Sequence, residues 1–377
     1  MTLLHLRTGF ELELLAPAGL GRRDVAERIA LDHGGEVRRT FHTDSEPSLV
    51  PGMGHFWHLT PGYAVHGADG ALLATLVDDV TITADLRPGQ AATGDGSTRR
   101  PHVDEHSYRV LSDDARLLRL VAERTSPDTP FARVLDDVAV LFGTSVETLG
   151  AVRRLRDRAG ASVALATGLA EGRERPCEVV TPPLRRDHEA ALEALLRPAR
   201  ELGCTIPVEA AVHLHVDAAP FRSAPALANL VRLFGHRRDT LRTVLGTNPA
   251  CTRLQPLPPA LVALVDQVPA GGAPATGDWP RLQAAASGTG LTKYFDVNLT
   301  AVLTDRPVRD TVEVRLLPGA LHATEVTERA ALVEGLLARC LEPEPLPHPV
   351  ATDPAAAAAE LLALARPAGR STTGRAS

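Results

Sequence analysis

Lysine is almost missing from this 377-residue chain: its 40 basic residues are all arginine except Lys293. That bias has the look of high-GC coding, so the arginine count by itself says little, and Lys293 stands out against it. Aromatic residues make up only 3% of the sequence, which leaves leucine, valine and alanine to build the core. The four cysteines, Cys177, Cys204, Cys251 and Cys340, lie far apart and form no CxxC pair. Neither a zinc knuckle nor a disulfide framework is therefore signalled. No apolar run approaches the roughly 20 residues needed to span a bilayer, and the opening "MTLLHLRTGFELE" reaches acidic residues too early for a signal peptide. An excess of positive charge is also absent. The net charge of −6 gives no electrostatic footprint for nucleic acid. Asparagine is confined to Asn229, Asn248 and Asn298. A Walker-type phosphate loop is missing too, since the "SGTGLTK" that ends at Lys293 has the wrong spacing.

What is present is ordinary for a soluble globular protein, at 44% hydrophobic and 23% charged residues. The length allows one large domain or two modest ones. A reduced, cytoplasmic protein is the expectation.

Alternation marks "LRTGFELELL" as a strand, and "GRRDVAERIALDHGG" reads as a helix with Asp24 as its cap and Gly34-Gly35 as its stop. Residues 55–83 read as a meander of short strands with a turn at Gly67–Gly70. Residues 87–105 are rich in Gly and Ser and read as a mobile loop. Residues 107–170 read as mostly helical, with "DDARLLRLVAER" strongly amphipathic. "RPCEVVTPPL" is a short strand stopped by a double proline, "RRDHEAALEALLRPAREL" a helix, "AAVHLHVDA" a strand and "SAPALANLVRLFGHRRDTLRTVL" helical. "GLTKYFDVNLTAVL" reads as a strand pair or a bent strand, "DTVEVRLLPG" as a strand and "EVTERAALVEGLLARCLE" as a helix. From about residue 345 the chain is rich in Pro, Ala and Ser, with one Ala-rich helix at 354–366 and a partly disordered end expected. Strands that alternate rather than run continuously apolar predict an α+β class with a mainly antiparallel sheet.

Three strands repeat one arrangement. Side chains at i and i+2 share a face, about 7 Å apart. Glu11 and Glu13 thus lie opposite Phe10, Leu12 and Leu14. His213, His215 and Asp217 lie opposite Val212, Leu214 and Val216, and Glu313 and Arg315 oppose Val312, Val314 and Leu316. Glu178 stands beside Val179 on a fourth, shorter strand. For any one strand the ordinary reading is a solvated outer face. In combination, carboxylates, imidazoles and a Glu/Arg pair form one polar wall if the strands share a sheet. Carboxylates gathered on one face repel unless cations neutralise them. Hard ions such as Mg²⁺ take carboxylates together with phosphate oxygens, and an arginine among them binds phosphate bidentately. The set therefore reads as a metal–nucleotide phosphate site. A zinc hydrolase is less favoured, because no third histidine lies close in sequence to His213 and His215.

The ordered stretches "TGFELELL", "CEVVTPPL", "HLHVDA", "KYFDVNLTAV" and "TVEVRLLPGAL" resemble the amidoligase family, itself similar to glutamine synthetase and glutamate–cysteine ligase. The resemblance runs over residues 6–340 and is poor near 87–172. It implies a glutamine-synthetase-like fold, an antiparallel sheet curved into a partial barrel with helices outside it. It implies ATP with Mg²⁺ or Mn²⁺ as cofactors. It further implies metal ligands at Glu11, Glu13, Glu178, His213 and Glu313, with His213 also reaching nucleotide phosphate. Arg315 becomes the phosphate-binding arginine. His215, Lys293 and Asn298 lie in the matching motifs, His215 as a proton acceptor and the other two on the nucleotide side. The phosphate arginine expected after the helix at 223–245 is left among Arg238, Arg242 and Arg253. One departure is that Asp78 and Asp79, matching an acidic strand of the family, stand far upstream of Glu178, so 87–172 reads as an insertion.

The expected organisation is a catalytic domain over 1–345 and a tail over 346–377. The expected activity is ATP-dependent joining of a carboxylate to an amine through an acyl phosphate, with small-molecule or peptide substrates and neither nucleic acid nor membrane as partner. The 87–105 loop is expected to act as a lid that keeps water from the acyl phosphate. Alternatives are a phosphotransferase acting on a guanidino or carboxyl group, and a non-catalytic binding protein on the same fold.

Overall fold

The structure, a computed structural model, describes residues 4–48, 54–86, 105–170, 172–251, 253–268, 278–305, 307 and 309–366. In chain order the elements are β1 (Thr8–Leu15), α1 (Arg22–Asp32), β2 (Glu36–Pro47), β3 (His55–His66), β4 (Leu72–Val77), β5 (Tyr108–Ser112), α2 (Ala115–Arg124) and α3 (Asp136–Phe142). There follow β6 (Glu147–Leu149), β7 (Val152–Arg156), β8 (Ser162–Gly168), β9 (Pro176–Val180), α4 (His188–Glu201), β10 (Ala211–Asp217), α5 (Ala224–His236) and α6 (Arg238–Leu245). The last are α7 (Pro259–Asp266), α8 (Asp278–Ser287), β11 (Val297–Asn298), α9 (Thr300–Leu303), β12 (Thr311–Pro318), α10 (Ala323–Cys340) and α11 (Pro354–Leu364). The chain divides into two compact units, one of residues 1–12, 181–197 and 208–377, the other of 13–180 and 198–207. The expected α+β class with antiparallel pairing is what the elements form.

In the first unit the strands lie in the order β11, β12, β10, β1, every pair antiparallel. Helix α5 starts at Ser223, whose hydroxyl accepts a hydrogen bond from Ala226 N, and it is buried along most of its length. Its partner α10 packs against it, while α6 lies against β12 and α11. Asn229 on α5 is fully buried. Its amide donates to the carbonyls of Cys340, Glu342 and Glu344, and its oxygen accepts from Leu346 N. Arg237 fastens the same segment further on, donating to Pro347 O at 2.9 Å and Glu360 Oε1 at 2.6 Å. Gly335 completes the attachment, because a Cβ there would lie 2.3 Å from Ala365 O. Asn229→Ala leaves several buried backbone groups without partners and should cost about 2–3 kcal/mol in urea unfolding. An unchanged unfolding midpoint would show that the segment is not held by these bonds.

The second unit carries a longer open sheet in the order β9, β4, β3, β5, β8, β7, β6, antiparallel throughout. Strand β3 is flanked on one side by β2 over its whole length, and on the other by β4 and β5 at its two ends. Helices α2 and α3 cover β5 and β7 respectively. Their contact is a core of Tyr108, Val110, Leu118, Val121, Leu135 and Leu155, all at most 1% exposed. Asp114 caps α2 by accepting from Arg116 N at 2.8 Å.

Three expectations need correction. Residues 107–170 are not mostly helical, since β5, β6, β7 and β8 occupy much of the stretch. "VRRLRDRAGASVALATG" folds as a hairpin, in which Asp157 Oδ1 accepts from Ala161 N at 2.8 Å and Gly160 adopts φ +85°. The arginines of β7, good helix formers in isolation, gave a misleading signal there. "GLTKYFDVNLTAVL" holds only the two-residue β11 before α9. Asn298 Oδ1 accepts from Thr300 N and Thr300 Oγ1 and turns the chain. Asp24 caps α1 from its third position, accepting from Gly21 N at 2.7 Å, rather than from the capping position itself. The expected loop and lid at 87–105, apart from residue 105, and the end of the chain beyond 366 lie outside the described residues. None of the described helices is long and apolar enough to cross a membrane.

Candidate functional site

On β12 the apolar side chains Val312, Val314 and Leu316 are fully buried, as alternation requires. The other face is not a solvated one, because Glu313 is only 7% exposed. Glu11 on β1 and His213 on β10 are buried to a similar degree. Antiparallel register explains how these side chains meet. Glu11 is the direct partner of His213, His215 pairs with Glu313, and Glu313 pairs on its other side with Asn298 of β11.

The pairing of β10 with β12 is not regular. Val212 faces Leu317 but Leu214 faces Val314, so β12 carries one extra residue across that step. This is a β-bulge, which bends a strand and redirects its side chains. It falls at Arg315 and Leu316. The Leu316 carbonyl is taken up by Thr247 Oγ1 at 2.7 Å, and Arg315 N donates to Asp296 O at 3.1 Å.

The side chains form a connected row. His213 Nδ1 lies 3.0 Å from Glu11 Oε2 and 3.4 Å from Glu313 Oε1. His215 Nε2 lies 3.1 Å from Glu11 Oε1, while its Nδ1 is 3.1 Å from Thr311 Oγ1. Arg315 donates to Glu313 Oε1 at 2.6 Å, and Asn298 Nδ2 to Glu313 Oε2 at 2.9 Å. Arg309, half exposed, reaches Glu11 Oε1 at 2.9 Å. Glu11, His215 and Glu313 each offer a ligand atom, all within 4.8 Å of one another.

The electrostatics follow from burial opposed by neighbours. Burial works to raise the Glu11 carboxyl, yet the charge of His215 and hydrogen bonds with His213 and His215 hold it well below the usual carboxylate range. For Glu313 burial again opposes, and Arg315 foremost, then His215, keeps it low. Burial and then the Arg315 cation lower His213. His215 is raised, because Glu11 and Glu313 outweigh its burial. Two ionised carboxylates thus stand with His215, whose hold on a proton they strengthen, with His213, whose hold burial and Arg315 weaken, and with two guanidinium groups. Anions that have given up their water, held by cations that can turn to another anion, suit exchange of those cations for a hard metal ion and phosphate oxygens.

Of the other expected residues, Glu13 is buried on β1 and Glu178 half-buried on β9, both in the second unit. Lys293 is half-buried, its ammonium 5.4 Å from the centre of the Tyr294 ring. Among the candidate arginines, Arg238 and Arg242 both engage buried Asp296, at 2.5 Å and 3.4 Å. Arg253 stacks over Tyr294 at 6.0 Å. Burial raises the Asp296 carboxyl despite those two arginines. Thr311 shares the polar face of its strand with Glu313 and Arg315, but sequence reasoning missed Asp296 and Arg309. Of these two, Asp296 had a usable signal, two residues before Asn298 in "FDVN". Of the three asparagines, Asn229 and Asn248 bind backbone carbonyls and Asn298 alone joins this row. The thiols have no part in it. Cys177, Cys204 and Cys340 are buried, and burial pushes Cys204 up to about 11 and the other two higher.

A family model described as "Putative amidoligase enzyme" matches residues 4–337. No curated protein matches the chain.

Proposed function

Because the chain belongs to the amidoligase family, we propose that it is an ATP-dependent carboxylate–amine ligase of glutamine-synthetase-like fold. The observation that carries this reading is the buried pair of ionised carboxylates, Glu11 and Glu313, with the His213 imidazole 3.0 Å and 3.4 Å from them and Arg315 alongside. Hard oxygen donors with one borderline nitrogen suit Mg²⁺ or Mn²⁺. Glu11, Glu313 and His213 would hold the ion. The roles of Glu13 and Glu178 as further ligands rest on the resemblance alone.

ATP, with its phosphates neutralised by the ion that Glu11, Glu313 and His213 would hold, would supply the phosphoryl group. The substrate carboxylate takes the γ-phosphoryl group, giving an acyl phosphate and ADP. The amine then displaces phosphate at the acyl carbon and loses a proton. In this sequence Arg315 leaves Glu313 for the transferring phosphoryl group, whose charge it stabilises. Asn298, bound to Glu313 on one side and to Thr300 on the other, keeps the carboxylate aimed while Arg315 shifts. Glu11 strengthens the hold of His215 on a proton, so His215 beside that carboxylate would accept the proton of the amine. Small-molecule or peptide acids and amines are the substrate class.

Calorimetry with a non-hydrolysable ATP analogue tests the reading. Binding is expected with Mg²⁺ and not without it, and Glu11→Gln should weaken it at least tenfold. A wild-type protein that binds no nucleotide in the presence of Mg²⁺ or Mn²⁺ would overturn the ligase assignment.

A further inference from the structure

The second unit holds another group of potential ligands, on the hairpin of β2 and β3. Asp44 and His58 are direct cross-strand partners. Glu46 stands two residues from Asp44 on the same side of β2. One ligand atom from each of the three lies within 4.8 Å of the others. The site is enclosed, with His58 1% and Glu46 9% exposed and Asp44 half-buried.

His58 is the unusual member. Neither of its ring nitrogens makes a hydrogen bond among the described residues. Its ionic contact, Nε2 to Glu46 Oε1, spans 3.8 Å, which is too long for a hydrogen bond. Thr60, two residues along β3 on the same side and fully buried, has a hydroxyl in the same condition. A buried imidazole is normally satisfied at one nitrogen at least. Here the ring faces two carboxylates with neither nitrogen hydrogen-bonded among the described residues.

We propose that Asp44, Glu46 and His58 form a second metal site, for a divalent transition ion of the Zn²⁺ or Mn²⁺ kind. The donor set decides the class of ion. A neutral imidazole is a borderline ligand and favours such ions over Ca²⁺, while the two carboxylates supply the compensating charge. Ligand atoms within 4.8 Å of one another need only small side-chain adjustments to reach one ion at roughly 2.0–2.2 Å. Ligands from both strands make the ion a clasp across the hairpin. Three protein ligands leave a coordination position for water or a bound molecule. The inference uses none of the residues on which the ligase reading depends.

Cobalt provides the test, because Co²⁺ bound to nitrogen and oxygen gives a visible absorption spectrum independent of catalysis. Chelator-stripped full-length protein is titrated with Co²⁺, and bound metal is counted after equilibrium dialysis. Wild type and Glu313→Gln should both take up an ion that Asp44→Asn and His58→Gln bind at least tenfold more weakly, with a changed spectrum. His58 is buried and its replacement risks the fold, so Asp44→Asn, at a half-exposed position, is the deciding variant. An anomalous-scattering peak between the three side chains in Zn²⁺-soaked crystals would locate the ion. Unchanged Co²⁺ stoichiometry and spectrum in folded Asp44→Asn would overturn the proposal. Loss of nucleotide binding in Glu11→Gln, or its retention, bears on the ligase reading and leaves this one untouched.

Discussion

Replacing Glu313 with glutamine, or Arg315 with methionine, is expected to lower acid- and amine-dependent ADP release by a factor of ~10³ or more. An arginine that stabilises a transferring phosphoryl group is worth ~10³–10⁵ in rate. Glu313→Gln keeps the volume of the side chain and its contact with Asn298, but removes the charge that binds the metal and opposes Arg315. The two variants fail for different reasons and should be separable. Arg315→Met should still bind magnesium and nucleotide, with most of its loss in kcat, because the lost interaction strengthens in the transition state. Glu313→Gln should lose nucleotide binding as well. The reading fails if both proteins, folded by circular dichroism, turn over an acid–amine pair that wild type accepts at anything near the wild-type rate.

The second large effect is on stability and lies in the other unit. The Asp78 side chain is wholly buried among guanidinium groups. Arg173 Nη2 is 3.0 Å from Oδ1, and Arg109 Nη2 is 3.3 Å from Oδ2. Burial opposes ionisation, but Arg22, Arg173 and Arg109 together hold the carboxyl below its ordinary value. Asp78→Ala leaves Arg22 and Arg173, both under 10% exposed, without their shared counter-ion. Removing one partner from a buried ion cluster costs about 3–5 kcal/mol, which urea unfolding would register directly. The pH dependence has a definite sign. The folded-state value is depressed, so the contribution is complete above the unfolded value of about 3.9 and is lost as the pH falls through the folded value. The deficit of Asp78→Asn relative to wild type should therefore be largest at pH 7 and shrink as the pH falls below the unfolded value. Equal midpoints for the two proteins at pH 7 would mean that the guanidinium cluster is satisfied without Asp78.

How much of this was legible in the sequence depends on periodicity. β1, β9, β10 and β12 announced themselves because one side of each is apolar and the other holds chemically specific groups. The helices α2, α4 and α10 did so through amphipathic spacing. β2 was missed, since "EVRRTFHTDSEP" is polar on both faces and earns its strand state from pairing with β3 along its whole length. The same alternation that revealed the strands also brought Glu11, His213, His215, Glu313 and Arg315 into view. It could not reveal Arg309, which meets Glu11 across 298 residues of chain. Nor could it reveal that Arg238 and Arg242 converge on Asp296, because separation in sequence of 58 and 54 residues carries no periodic trace. Burial was the other blind spot. Alternation alone does not distinguish a wetted polar face from one sealed from water, and only packing around β10 and β12 decides it.

The irregular step opposite Val212 and Leu214 has a consequence for anyone altering this protein. The doublet Leu316-Leu317 is its imprint in the chain, two consecutive inward residues where strict alternation permits one. Between Glu313 and Pro318, then, the length of the strand is as constrained as its residues. Deleting a single leucine to straighten the strand would rotate everything beyond it by half a turn and turn Leu317 and its neighbours outward. A library built on β12 should keep Glu313 and Arg315, confine Leu316 and Leu317 to apolar residues of similar volume, and admit no insertions or deletions.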